Sequence, residues 1–154
     1  MIKLVRETPQ VAMARKESLD MVRLIYHETY SKPWQEEDIA TTLVRWGQTQ
    51  SHAICGVDEN DNLHGIASFF LTFDGVLKEV IAAEHFIAIF PQYRNGTLYL
   101  RLLKEMTKWA TELGATELRI GTHNVNKEAR DAYEAMLKRI GFGESHIYYS
   151  KQLW

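Results

Sequence analysis

The residues best able to do chemistry in this chain stand together between Glu84 and Leu98. An apolar run, Ile87-Ala88-Ile89-Phe90, leads into Pro91-Gln92-Tyr93-Arg94-Asn95-Gly96-Thr97, and Leu98 then opens a leucine-rich segment. A strand that turns into a helix presents unpaired main-chain N–H groups at the helix start, and the helix dipole adds positive potential, so the pair favours a bound anion. Gly96 removes a side chain where a phosphate oxygen would approach the main chain. Arg94 can add a charge-assisted hydrogen bond, and Thr97 or Asn95 can cap the helix when no anion is present. The same residues also read as a capped strand-to-helix loop with one turn glycine, so spacing alone leaves two readings open. Upstream, Glu84 and His85 are a polar pair inside an apolar strand. A carboxylate shielded from water, or a histidine near its ordinary pKa, can take a proton or relay one through water. The two-residue period of a strand sends them to opposite faces, so at most one faces a cleft. The competing reading makes both strand-end polar groups paired with neighbours.

The surrounding pattern says what must position these residues. Alternation at Ile2, Leu4 and Arg6 predicts a short first strand. Helical spacing of Leu19, Val22, Ile25 and Tyr26 predicts one helix from about Val11 to Tyr30. Pro33 ends it, and a second helix follows with Ile39, Leu43 and Trp46 on one face and Glu36, Glu37 and Asp38 in its first turn. His52 to Asp58, Leu63 to Phe73 and Val76 to Phe90 read as an antiparallel meander. Asn60-Asp61-Asn62 is its first turn, and Asp74-Gly75 is its second, in the tight type I′ form. The period then changes: Leu98, Leu102, Met106, Trp109 and Leu113 form a helical stripe stopped by Gly114. Glu117 to Thr122 is a strand. Ala129, Ala132, Tyr133, Met136, Leu137 and Ile140 form another helix, ended by Gly141, and His146 to Leu153 is a closing strand. The strand-helix-strand step through Leu98 requires a crossover. The expected fold is therefore α/β, with a mixed, mostly antiparallel sheet of about six strands and four helices on both faces.

Composition narrows the function classes. The 154 residues are 45% hydrophobic and 25% charged, as in a globular chain. No linker interrupts them, so residues 1–154 read as a single domain. A net charge of -2 gives no long-range field for nucleic acid or anionic lipid, so neither is an expected partner. No apolar run nears the ~18 residues of a membrane span, and Met1 to Arg6 lacks the pattern of a signal peptide. The lone Cys55 sits in an apolar strand and reads as a small buried hydrophobe rather than a nucleophile. One cysteine and scattered histidines give no metal spacing. A reducing cytoplasm fits best.

The string Ile89-Phe90-Pro91-Gln92-Tyr93-Arg94-Asn95-Gly96, followed by its leucine-rich helix, resembles the acetyl-CoA motif of GNAT acyltransferases. Glu112-Leu113-Gly114-Ala115 with Leu118-Arg119-Ile120 resembles that family's third helix and fifth strand. Lys138-Arg139-Ile140-Gly141-Phe142 resembles its Gly-Phe signature, and Tyr149 to Leu153 its terminal strand, so the likeness covers essentially the whole chain. The glycine falls one place early, and Thr97 and Tyr99 occupy positions that the family keeps small. This is similar to the variants in phage-encoded members.

The resemblance implies acetyl transfer from acetyl-CoA, as cosubstrate, to an amine acceptor, small or peptide. The pantetheine arm would pair with main-chain groups of Ile87, Ile89 and Phe90. The pyrophosphate would lie on Arg94, Asn95, Gly96, Thr97 and Tyr99, with Asn126 against the cofactor or capping its helix. Glu84 would be the general base. The family's usual acid position falls on Leu137, and Tyr133, one turn earlier on the same face, would be the general acid or else a core aromatic. Tyr30 and Trp34, between the first two helices, would line the acceptor pocket or staple the second helix. A homodimer is a further expectation, as is the host cytoplasm for a phage-encoded protein. The alternative is a GNAT-fold protein that has lost catalysis and serves as a binding or structural component, such as one in a phage particle.

Overall fold

Alternating apolar residues and two turn sequences dictate the centre of the fold. The computed structural model describes residues 1–29, 35–94, 96–121 and 127–143. Strands β1 (Lys3–Glu7), β2 (His52–Val57), β3 (Leu63–Asp74) and β4 (Glu79–Ile89) pair antiparallel in chain order. β5 (Glu117–Arg119) joins β4 in parallel, giving a mixed sheet ordered β1-β2-β3-β4-β5. The first turn forms as its sequence dictates. Asp61 is left-handed at φ 62°, and the Asp58 carboxylate accepts the main-chain N–H groups of Asn60 and Asn62 at 2.9 and 3.0 Å.

The second turn differs from the tight hairpin expected at Asp74-Gly75. Residues 75–78 link the closing pair Asp74 and Glu79. The Asp74 carboxylate captures the N–H groups of Val76 and Leu77, both at 2.9 Å, and the left-handed residue is Lys78 at φ 56°. An aspartate that bonds the main chain ahead of it opens a wider loop than two residues allow.

The single first helix expected is instead two, α1 (Pro9–Met13) and α2 (Ser18–Thr29). Thr8 caps α1, with Pro9 in the first turn where its missing N–H costs nothing. The Ser18 hydroxyl then donates to the carbonyl of Ala12 at 2.5 Å, which fixes the break. Arg15, within the break, turns back to form a largely buried ion pair with Glu7 of β1. Cys55 is fully buried, and its thiol donates to the same Glu7 carboxylate at 3.3 Å. Burial and that neighbouring charge push the thiol pKa far up, so the group is inert as a nucleophile.

α3 (Glu36–Gly47) and α4 (Leu98–Glu112) follow the predicted stripes. On one face of the sheet, Leu98, Leu102, Met106 and Ala110 of α4 pack on Ile54, Ala67, Phe69 and Ala82. On the other, Ala12, Met21 and Trp46 of the first three helices pack on Ala53, Cys55, Val57, Leu63 and Ile66. The Trp46 indole donates to the buried Ser68 hydroxyl at 3.1 Å, which satisfies both polar groups.

Two glycines set how closely α4 approaches. Gly56 and Gly65 are cross-strand partners beneath Leu98. A Cβ at Gly56 would lie 2.9 Å from Leu98 Cδ1, and one at Gly65 would lie 2.9 Å from Ile89 Cγ1 and 3.2 Å from Leu98 Cδ2. The missing side chains let the first turn of α4 settle beside the end of β4.

The described residues divide into the unit Met1–Gly121 and the unit Thr122–Trp154. In the second, α5 (Lys127–Arg139) ends as predicted at Gly141, left-handed at φ 98°. The Gly141 and Phe142 N–H groups return to the carbonyls of Lys138 and Leu137 at 3.1 and 3.0 Å. Gly114, at φ 89°, closes α4 in the same way. The closing strand expected at His146 to Leu153 lies outside the described residues. Among the described residues there are five strands and five α-helices.

The tight seat of Leu98 makes a prediction. Gly56→Ala should cost about 1–3 kcal/mol by overpacking. The cost should shrink in a Leu98→Ala background, because the clashing atoms are gone. Urea melts of the two single variants and the double variant measure this coupling.

Candidate active site

The site begins with a break in pairing. Ser68 stands opposite Phe86 and Phe69 opposite Glu84, so His85 is an extra residue that bulges β4. On the other edge of β4, pairing with β5 ends at Ala83 and Arg119. Beyond it, the N–H of Gly121 goes not to a β4 carbonyl but to the side chain of Glu84, 2.8 Å from Oε2. A carboxylate stands where the ladder would have continued.

The bulge also decides which main-chain groups face that break. The Phe90 N–H donates to the carbonyl of His64 at 3.1 Å. Antiparallel alternation therefore turns Ile87 and Ile89 away from β3, toward the edge that β5 has left. The direction is visible at Ile89, whose carbonyl accepts the Arg94 Nε–H at 2.9 Å. Phe90 does not share this role: its carbonyl accepts the Tyr93 N–H at 2.9 Å, so both its main-chain groups are engaged.

Glu84 is half-buried and stands opposite Phe69, whose ring packs against Trp109 of α4, which places it on the α4 face. Burial raises its pKa from the ordinary 4.5 to about 7, opposed by the Gly121 N–H. Such a carboxyl changes charge near neutrality. His85 is more exposed and lies edge-on to Phe70 at 5.3 Å; partial burial lowers its pKa.

The turn that follows is less direct than its sequence implies. Pro91–Tyr93 form a short 3₁₀ turn between β4 and α4. Arg94 is not extended toward an open anion site. Besides its bond to Ile89, its guanidinium pairs with both carboxylate oxygens of Glu28 in α2 at 2.7 and 2.9 Å. Glu28 supplies the counter-charge that sequence spacing could not place. Thr97 occupies the N-cap position of α4 at φ -94° and ψ 5°, and its side chain makes no cap bond. Capping favours extended backbone there, so Thr97 does not form the cap and the first-turn N–H groups of α4 receive none from it. Gly96 is exposed, and a Cβ built there meets no atom within 4 Å among the described residues. Nothing in the described protein demands a glycine there. Tyr99 is half-buried against the α4-side core.

Asn95, Asn126, Tyr30 and Trp34 lie outside the described residues. Tyr133 is half-buried on α5 in the second unit, one turn before Leu137. Among the described residues no cluster of three His, Cys, Asp or Glu side chains could hold a metal ion, and no helix is long and apolar enough to cross a membrane.

One group beside the turn has no signal in the sequence spacing. Gly56 pairs with Gly65 but Val57 with Leu63, so His64 is a second bulge residue. Its ring stacks on Tyr93, with centroids 3.6 Å apart and planes at 13°, and its Nε2 lies 3.1 Å from Asp58 Oδ2.

A mixed sheet whose fourth and fifth strands part beside a strand-turn-helix agrees with the fold that the sequence resemblance implies. The chain belongs to the acetyltransferase (GNAT) family, whose model matches residues 19–138. No curated protein matches it in sequence. Among solved structures it is similar to the ribosomal-protein-alanine N-acetyltransferase of Brucella melitensis biovar Abortus 2308, with TM-score 0.76, 14% identity and 100% of both chains covered. It is also similar to glucosamine-6-phosphate N-acetyltransferase of Arabidopsis thaliana, with TM-score 0.67, 11% identity and 99% of each chain covered. A transcriptional regulator of Bacillus halodurans C-125 aligns with TM-score 0.74 at 10% identity, over 99% of this chain and all of that one. At such identities the likeness is one of fold, and a fold carries many functions.

The raised pKa of Glu84 has a consequence for stability. Its folded value lies above its unfolded value, so between about pH 4.5 and pH 7 the native state binds more protons than the unfolded state. Native stability then falls as pH rises through this window, by up to about 3 kcal/mol. Glu84→Gln carries no such charge. Its stability relative to the parent should therefore rise from pH 5 to pH 8 in urea melts; a pH-independent difference would mean that the carboxyl titrates normally.

Proposed function

We propose that this chain is a single N-acetyltransferase domain that moves an acetyl group from acetyl-CoA to an amine, with Glu84 as general base. The observation that carries this reading is the Glu84 carboxylate, which fills the break between β4 and β5 beside the outward main chain of Ile87 and Ile89. Acetyl-CoA supplies the thioester. Ile87 and the Ile89 N–H suit the amide groups of its pantetheine arm, and the start of α4, which Thr97 does not cap, with the open space at Gly96 suits its pyrophosphate. Arg94 would have to exchange Glu28 for phosphate to add its charge.

The chemistry then needs two proton transfers. The amine nitrogen attacks the thioester carbonyl carbon, the C–N bond forms and the C–S bond breaks. The proton lost by nitrogen passes to Glu84, directly or through water, and the departing thiolate takes a proton, for which Tyr133 is the proposed donor. A carboxyl with a pKa near 7 can accept and release that proton at neutral pH. The acceptor is an amine, small or on a peptide. A reducing cytoplasm suits the free Cys55.

Binding is tested by thermal melting. Acetyl-CoA at about a hundred times its dissociation constant should add ~2.7 kcal/mol of stability; no shift at millimolar cofactor would sink the reading. Gly96→Glu should melt like the parent without ligand, because its Cβ points into open space, and should lose the shift. Glu84→Gln should keep the shift and lose about 10²-fold or more in kcat, together with the acidic limb of the pH–rate profile. An unchanged limb would remove Glu84 as the base.

A further inference from the structure

The turn that would carry the pyrophosphate is braced from the side by groups the chemistry does not use. His64 is the residue bulged out of β3, and a bulge re-aims the side chain it carries. Here it aims the imidazole at the turn. One edge of the ring is tied by Nε2 to Asp58 Oδ2 at 3.1 Å. One face lies on Tyr93, nearly parallel, with centroids 3.6 Å apart. The brace rests on fixed ground, because the Asp58 carboxylate also accepts the N–H groups of Asn60 and Asn62 and the Asn62 side-chain amide. Those bonds hold its pKa well below the usual carboxylate range, so it stays a charged anchor at any working pH.

Tyr93 is the last residue of the 3₁₀ turn and the one before Arg94. Gln92 and Arg94 on either side of it are exposed. We propose that His64 is a positioning residue for the cofactor: by stacking on Tyr93 it holds the turn in the shape that receives the pyrophosphate. This rests on the acetyl-CoA reading above. An unbraced turn would have to be ordered at each binding event, which weakens affinity without touching the acetyl-transfer step. The main-chain bond from Phe90 to the His64 carbonyl does not depend on the side chain, so substitution leaves the β3–β4 ladder intact.

Calorimetric titration with CoA separates the possibilities. His64→Ala should weaken CoA about tenfold while kcat at saturating acetyl-CoA stays within about twofold, the signature of lost preorganisation. His64→Phe, which keeps a ring on Tyr93, should recover most of that affinity. Parent-like CoA affinity in His64→Ala would overturn the proposal, as would a His64→Phe variant as weak as the alanine. A fall in kcat equal to the loss in affinity would overturn it too, because it would place His64 in the chemistry. A parent protein that binds no CoA would remove the acetyl-CoA reading and this brace together, whereas parent binding with unaffected variants would remove the brace alone.

Discussion

The close seat of Leu98 on Gly56 and Gly65 is the contact on which the rest of the structure depends. A helix that covers one face of a sheet must find room for its own first turn, and two facing glycines provide it. Because they lie opposite each other in neighbouring strands, the space is a single depression rather than two scattered gaps. Leu98 fills it, and the stripe of Leu102, Met106 and Ala110 follows along the sheet. The same contact fixes the height of the α4 N-terminus relative to Ile89. The turn from Phe90 to Thr97 therefore has both ends anchored before any ligand arrives.

The site uses what the sheet leaves undone. Pairing between β4 and β5 stops after a few residues, and the bulge at His85 changes which main-chain groups face the gap. Glu84 occupies the break, where burial raises its proton affinity and, among the described residues, the Gly121 N–H opposes that rise. Asp58, in the turn between β2 and β3, shows the opposite arrangement: several donors converge on it, and its pKa falls. Two carboxylates in one fold thus take opposite roles, one as a fixed anchor and one as a group that can change charge near pH 7.

Much of the frame was legible in the sequence. Gly114 and Gly141 were read as helix stops, and both are left-handed with the paired return bonds of that motif. The antiparallel meander and the crossover through α4 followed from turn residues and a change of period. Errors came where a local side-chain bond outweighed the periodic pattern. Ser18 and Arg15 broke one expected helix into α1 and α2, and Asp74 widened a turn that Gly75 had been expected to tighten. At the candidate site, Glu84 was legible as a polar residue in an apolar strand. The partners that the fold gives to the main chain of Phe90 and the guanidinium of Arg94 were not legible.

The residues from Glu84 to Leu98 by themselves determined that a strand ends in a turn and a helix, because proline, glycine and a change from two-residue to helical period are local signals. What tertiary structure alone decided is which groups of that stretch are open. The extra residues at His64 and His85 exist only in the register between strands, and register is set by the whole apolar face of a sheet rather than by neighbours in the chain. That register turns Ile87 and Ile89 outward, brings Gly121 to Glu84 and lays His64 on Tyr93. A proton affinity raised by burial belongs to the folded protein, because the carboxyl loses its water only when the strands close around it.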